Sequence, residues 1–292
     1  MNSAELAGSC QSLRRHMGKR NKIKKTFTTM DNITIARRII AETSKRSCSD
    51  VNDENFFPIT QKKRRTSFID GSSYDVLSAP AEDFSLVRIA VERFDGRDKM
   101  SESLSDFLVI KRDGTIEAIG RDGEMELHMN SLDACRSFFE WKAAEEESAD
   151  GMTVVMDGYL ENPFFDVSDT LKKCSTTGIC GIAKKSRTDM RDMKDRAAQI
   201  GLKTWAYKLG DDHYACRLNE HSNMIFEVET SNTDSISNLA YFSCDPFLPG
   251  YPFGLIDAHR RAKIEGREVK ELRAMLYAMG SDYVELHDFL EA

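Results

Sequence analysis

Apolar residues between positions 66 and 120 alternate with polar ones, which is the period of two expected for half-buried strands. The alternation is clearest over 84–94 (FSLVRIAVERF), and shorter strands are predicted at 66–70, 107–111 and 115–119. The last two flank the dipeptide Asp113-Gly114, which is a strong hairpin signal. This part of the chain is therefore predicted to form an antiparallel meander.

The pattern changes to helical spacing after Ser131. Ser131 is a suitable N-cap, and apolar residues such as Cys135 and Phe139 then recur on one helical face as far as Glu147. The next segment, 152–156 (MTVVM), is a short and wholly apolar run. Such a run predicts a strand that is buried on both faces of a sheet.

The rest of the chain repeats this mixture of helices and strands. Helices are predicted at 165–174, 189–200, 251–264 and 268–279, and strands at 178–183, 204–208, 214–218 and 223–228. Three antiparallel strands, a helix, a central parallel strand and further α/β units follow one another in the order of a ribonuclease H-like fold. We therefore predict an α/β protein with a ribonuclease H-like mixed sheet flanked by helices.

Charge divides the chain into two unequal parts. Residues 1–65 contain 15 Lys and Arg against 6 Asp and Glu, whereas the other residues contain 26 against 42. We interpret residues 1–55 as a basic N-terminal arm, helical or flexible, and residues 56–292 as the main domain; a solvated tail without a specific role is the alternative for the arm. The acidic main domain argues against indiscriminate nucleic-acid binding, because each phosphate contact needs a local cation.

The sequence gives no indication of a membrane or secretory protein. No apolar run approaches the roughly 20 residues that span a bilayer, and the N-terminus lacks a signal-like apolar stretch. Seven cysteines lie scattered, without the paired spacing of a zinc site. We expect a cytoplasmic protein with reduced thiols and no membrane partner.

Three carboxylates occupy positions that suit metal-dependent phosphodiester hydrolysis. Asp70 and Asp157 end the first and the central strand, which are neighbours in a ribonuclease H-like sheet, and Glu140 lies on the helix between them. Two-metal hydrolysis needs several carboxylates that converge on a pair of divalent ions. Each Asp is followed by Gly, so a simple turn is the alternative for either one, and a solvent-facing helix acid is the alternative for Glu140.

Two further residues have side chains that suit such a site. His259, on a helix that begins at Pro252, is suited to bind a metal or to carry a proton, with Asp257 as an alternative ligand nearby. Lys184 follows a strand on the same sheet edge as the acids and suits a phosphate contact. The alternatives are a surface or core histidine and an ordinary solvated lysine.

Four segments resemble motifs of the NurA family of nucleases, and they occur in the family's order. They are 67–72 (SFIDGS) with 86–91 (LVRIAV), 154–160 (VVMDGYL), 181–186 (GIAKKS), and 250–264 with its Tyr and His. The resemblance spans roughly residues 66 to 265. The main domain is therefore expected to be a NurA-like nuclease domain.

The resemblance implies a set of site residues and partners. Carried over by position, the catalytic residues are Asp70, Glu140, Asp157, Tyr251 and His259, and all but Tyr251 are implied metal ligands. Lys184 and Arg88 are expected to contact DNA. The implied cofactor is Mn²⁺, and Mg²⁺ also suits oxygen ligands. The implied enzyme is a dimeric deoxyribonuclease, with 5′–3′ exonuclease and endonuclease activity, that works on DNA ends with a HerA-type hexameric ATPase in recombinational double-strand break repair.

Two other functions remain open on the sequence alone. A different ribonuclease H-like nuclease would share the carboxylates but would recognise an RNA-containing duplex through its shape and 2′-hydroxyls. A catalytically silent binding partner of the translocase would keep the fold without the metal site. The sequence disfavours this last alternative, because all the expected acids are present.

Overall fold

The structure, a computed structural model, describes residues 51–79, 82–112, 115–120, 123–127, 129, 131–174, 177–246 and 248–278. Residues 1–50 of the expected arm lie outside the described residues, as do the turn Asp113-Gly114 and Met279 at the end of the last predicted helix. Within the described ranges, no helix has both the length and the apolarity needed to cross a bilayer.

One mixed sheet organises the described part of the chain. Its eleven strands lie in the order β1-β9-β10-β11-β8-β7-β2-β3-β4-β5-β6. The strands are β1 (Phe56–Pro58), β2 (Arg65–Ser78), β3 (Asp83–Asp95), β4 (Asp98–Arg112), β5 (Thr115–Gly120), β6 (Gly123–Leu127), β7 (Thr153–Asp157), β8 (Ile179–Ala183), β9 (Trp205–Gly210), β10 (His213–Arg217) and β11 (Phe226–Glu229). The helices are α1 (Leu132–Ala149), α2 (Ser168–Cys174), α3 (Arg191–Gln199), α4 (Thr233–Phe242), α5 (Phe253–Ala262) and α6 (Gly266–Ala278), and a 3₁₀ turn covers Asp53–Asn55.

Strand directions agree with the ribonuclease H-like prediction. β2 to β6 form the antiparallel meander, β7 pairs in parallel with β2, and β8 pairs in parallel with β7. In the β2–β7 ladder Ile69 is the partner of Met156. The next residues, Asp70 and Asp157, therefore lie side by side where β7 ends.

Helices cover both faces of the sheet because its central strands are apolar on both sides. Ile69 and Val154 pack on the α1 side, whereas Phe68 and Val155 belong to the cluster on the opposite side. Full burial of such a side chain stabilises the fold by about 1.5–3 kcal/mol. Ser131 caps α1 as predicted, since its side chain accepts a hydrogen bond from the backbone N–H of Ala134.

Several elements differ from the prediction. β2 continues to Ser78, well past the predicted end at Asp70, because its polar residues face a cleft and so lack the apolar alternation of a strand. β1, β6 and α4 were not predicted. The signal for α4 is an N-cap, since the Asn232 side chain accepts from the N–H of Asp234. The predicted helix at 165–174 begins only at Ser168.

Candidate active site

Asp70 and Asp157 form the centre of the candidate site. Both stand where the parallel β2–β7 ladder ends. Asp70 is 8% exposed, and the Asp157 side chain is 20% exposed. Burial and the nearby charge of Asp157 raise the pKa of Asp70, and the hydrogen bond to His259 offsets part of this rise. The two carboxylates are thus held closer together than isolated anions prefer.

α5 and the loop before it bring two of the predicted residues to these carboxylates. His259 Nδ1 lies 2.7 Å from Asp70 Oδ2, and the Tyr251 hydroxyl donates to Asp157 Oδ1 at 3.2 Å. Burial and the neighbouring Asp157 raise the pKa of Tyr251 above its ordinary value, so the phenol remains a proton donor. Possible ligand atoms of Asp70, Asp157 and His259 all lie within 4.8 Å of one another.

Glu140 reaches the site from α1. Its side chain is 17% exposed and lies against Gly71, where an added Cβ would sit 2.5 Å from Glu140 Oε1. Glycine at position 71 therefore leaves room for this carboxyl. Burial raises the pKa of Glu140 to about 8; Arg136 lowers it in part, and the charges of Asp70 and Asp157 raise it. Glu140 therefore lies adjacent to the two aspartates, but it is not one of the three residues, Asp70, Asp157 and His259, whose ligand atoms lie within 4.8 Å of one another.

Lys184 is the nearest lysine to the carboxylates in the described residues. Its Nζ lies 2.6 Å from Asp157 Oδ2 and 5.3 Å from the centre of the Tyr251 ring. The side chain is 44% exposed, so the ammonium group is accessible from solvent. This position, at the end of β8 beside the acids, is compatible with a contact to a phosphate oxygen.

The donor set fits a divalent cation. Carboxylate oxygens and one imidazole suit Mn²⁺ and Mg²⁺, which prefer oxygen-rich sites, and they do not form a thiolate-based zinc site. The raised pKa values of Asp70 and Glu140 also fit a cation site, because a cation bound by these oxygens would favour their ionised forms. The residues that would hold the ion are Asp70, Asp157 and His259, with Glu140 beside them.

Arg88, for which a DNA contact was predicted, is buried and paired with carboxylates in this structure. It is 4% exposed, and its guanidinium binds Asp106 Oδ1 at 2.7 Å and Glu268 Oε2 at 2.9 Å. It also donates to the backbone oxygen of Lys263 at 3.4 Å. A buried guanidinium with these partners joins β3 to β4 and α6, and it is not presented to a phosphate.

Sequence reasoning also missed a polar network beside the site. Glu227 is fully buried and accepts hydrogen bonds from four groups: the Tyr159 hydroxyl, the Ser186 hydroxyl, the Thr188 backbone N–H and the His213 ring. Burial by itself raises the pKa of Glu227, but these hydrogen bonds outweigh it and hold the pKa at about 2. The network joins the loop after Asp157 to the loop after Lys184. The only sequence signal was an acid between two apolar residues of a short strand.

The fold is similar to solved nuclease structures over almost the whole chain. The NurA nuclease from Sulfolobus solfataricus superposes with a TM-score of 0.50 at 12% identity, covering 99% of this chain and 98% of that chain. A second NurA structure gives 0.50 at 8% identity, with coverages of 92% and 97%. Human ENDOV gives 0.43 at 12% identity, with coverages of 82% and 99%. No family model and no curated protein matches the sequence. The two NurA structures establish that this chain has their fold.

Proposed function

We propose that this protein is a metal-dependent DNA nuclease that processes DNA ends in recombinational double-strand break repair. One observation carries the proposal: residues from three separate elements converge at one sheet edge, where Asp70, Asp157 and His259 offer ligand atoms within 4.8 Å of one another. Structural ion pairs alone do not require two carboxylates to share such a position, since like charges repel. A site for divalent cations accounts for the arrangement.

Mn²⁺ is the proposed cofactor, with Mg²⁺ as the alternative. A divalent cation held here supplies Lewis-acid polarisation of the phosphate and activation of the attacking water. Asp70 and Asp157 would hold it, with His259 and Glu140 completing the set. Fixing these donors on two paired strands and two packed helices positions them before substrate arrives, which lowers the reorganisation needed during the reaction.

The remaining side chains have roles that follow from their contacts. Lys184, accessible and already bonded to Asp157, is placed to bind a phosphate oxygen. Tyr251 remains protonated and donates a hydrogen bond, so it orients Asp157 or a substrate oxygen. With Nδ1 directed to Asp70, His259 keeps Nε2 for a proton or a ligand, and its side chain is 65% exposed.

The direct test measures DNA cleavage by the purified protein. Linear single- and double-stranded DNA labelled at either end are to be incubated with Mn²⁺, with Mg²⁺ and with a chelator, and closed circular DNA reports endonuclease activity. Release of the 5′-terminal nucleotide first would support 5′–3′ exonuclease activity. Cleavage of the RNA strand of a hybrid without cleavage of DNA would instead favour the RNA-directed alternative.

Matched substitutions locate the activity. Asp70→Asn and Asp157→Asn remove a ligand charge at nearly constant volume, so each is expected to lower cleavage more than the roughly 10–100-fold typical of changes outside the ligand set. Glu140→Gln tests the third carboxylate. Asp169→Asn is the control, because Asp169 lies on α2 with a side chain that is 92% exposed. Wild-type cleavage by folded Asp70→Asn or Asp157→Asn protein would exclude this site.

The partner proposals rest on the family resemblance. We propose a homodimer that acts with a HerA-type hexameric ATPase. Mass measurement in solution tests the dimer, and co-purification with such an ATPase tests the complex. A monomer that neither binds nor responds to the ATPase would leave a stand-alone nuclease.

A further inference from the structure

A narrow groove leads away from the candidate metal ligands along β2. Its volume is about 170 Å³, and its lining includes Asp70, Ser72 and Tyr74 of β2 together with His259 and Lys263 of α5 and its C-terminal end. The groove is therefore continuous with the site proposed above. Along β2 its lining begins at Asp70 and ends at Tyr74.

The strand geometry explains why these residues line one path. Asp70, Ser72 and Tyr74 are two residues apart, so their side chains leave the same face of β2. β2 pairs with β7 only as far as Ile69, and its further residues extend the path beyond the end of β7. At about 3.3 Å per residue, Tyr74 lies roughly 13 Å from Asp70. That distance matches about four steps of a stacked nucleic-acid strand, or fewer of an extended one.

The wall of the groove is already fixed. The Ser72 hydroxyl donates to the backbone oxygen of Ala262, and Arg88 donates to the backbone oxygen of Lys263. Both bonds hold the C-terminal end of α5 against the β2–β3 pair. A ligand entering the groove would therefore meet a preformed channel.

Tyr74 is the feature of this groove that its packing does not explain. It is 45% exposed, whereas Val76, two residues further on, is fully buried against the α6 side. Lys263 is exposed in the same groove. An exposed aromatic ring with a neighbouring cation is the combination that binds single-stranded nucleic acid, with the ring stacking on a base and the cation near the backbone.

We infer that this groove binds the single-stranded end of the substrate and that the Tyr74 ring stacks on one nucleobase a few nucleotides from the hydrolysed bond. The inference rests on the proposed nuclease function and specifies how the strand reaches the site. Stacking is suited to this protein because Asp and Glu outnumber Lys and Arg by 42 to 26 in residues 66–292, which disfavours binding through phosphate contacts alone. Every base has a flat aromatic face, so the groove would accept many sequences.

The test is a binding measurement that does not depend on cleavage. Asp157→Asn protein is mixed with single-stranded DNA that carries the fluorescent base 2-aminopurine at one position, and the label is moved one nucleotide at a time from the end. Stacking on Tyr74 is expected to change the fluorescence at one or two adjacent positions only. Adding Tyr74→Ala is expected to remove that change and to weaken binding about tenfold, whereas Tyr74→Phe should preserve both.

Met100→Ala is the matched control. Met100 is also 45% exposed, but it lies beside Arg65 at the opposite end of β2, where it accepts a hydrogen bond from that residue. Unchanged binding and fluorescence in Tyr74→Ala, or an equal loss of binding in Met100→Ala, would overturn the inference. If wild-type protein still cleaves DNA, the proposed nuclease function would stand. A wild-type protein that neither binds nor cuts DNA would overturn the proposed function as well.

Discussion

Gly254 sets how closely α5 approaches the sheet. Substituting it therefore tests how the packing of α5 affects the candidate site. A Cβ added at position 254 would overlap the edge of the buried Phe68 ring, and even the ring's Cγ would be only 2.7 Å away. Ordinary contact begins at about 3.4 Å. Gly254→Ala therefore requires the ring or the helix to move by about 0.7 Å at Cγ and further at the ring edge. Because α5 carries His259, movement of the helix changes the candidate site.

Two opposing terms determine the size of the effect on stability. Replacing Gly by Ala in a helix stabilises it by about 0.5–1 kcal/mol. Overpacking of a filled core costs about 1–3 kcal/mol. We expect Gly254→Ala to lower the free energy of unfolding by about 1–2 kcal/mol. Displacement of His259 by about 1 Å would lower cleavage about a hundredfold in protein that remains folded.

The assay combines denaturant unfolding with DNA cleavage at saturating Mn²⁺. Gly266→Ala is the control, because a Cβ there meets no atom within 4 Å and the substitution should leave stability unchanged or slightly raised. Phe68→Leu should relieve the overlap, so a double-mutant cycle is expected to show a coupling of about 1 kcal/mol or more. A Gly254→Ala protein as stable and active as Gly266→Ala, with no coupling to position 68, would refute this account of α5.

Two further predictions concern buried charges. Arg88→Ala leaves Asp106 and Glu268 without their cation and should lower the free energy of unfolding by about 3 kcal/mol or more. The DNA affinity of the folded variant should equal that of wild type. Weaker DNA binding by fully folded Arg88→Ala protein would indicate that Arg88 contacts DNA. Glu227 has a folded pKa of about 2, below its ordinary 4.5, so its ionised form stabilises the fold above about pH 4.5 and this contribution disappears as the pH falls toward 2. The unfolding free energy of wild type should therefore exceed that of Glu227→Gln by about 3 kcal/mol at pH 7, and the two values should converge near pH 2. A difference between the two proteins that does not change with pH would contradict the lowered pKa of Glu227.

Patterns within single elements predicted the two strands that carry Asp70 and Asp157. Asp70 and Asp157 each follow an apolar stretch, and the order of strands around them indicated that those stretches pair in parallel. In the structure, Glu140, His259 and Lys184 lie near the two aspartates. The family's order of motifs was needed here, because β2 continues to Ser78 and Asp70 lies where its ladder with β7 ends, not where the strand ends.

Properties that depend on distant partners were not predictable in the same way. The alternation in β3 predicts the strand that carries Arg88. It does not predict the acids that pair with Arg88, because these lie on β4 and α6. Glu227 could not be identified as a buried anion, because two of its hydrogen-bond donors, Tyr159 and Ser186, lie 68 and 41 residues away in the chain. Sequence gives the type of each side chain, whereas its pKa and exposure are determined by tertiary packing.

The candidate site has two parts, one positioned by strand pairing and the other by the packing of α5. Asp70 and Asp157 are positioned by the ladder between β2 and β7, which includes Phe68 and Ile69. His259 and Tyr251 depend on α5, which is held by the close approach of Gly254 to Phe68 and by the bond from Ser72 to its C-terminal carbonyl. Changes in the strands should therefore act first on metal affinity, whereas changes in the docking of α5 should lower turnover even when metal is saturating.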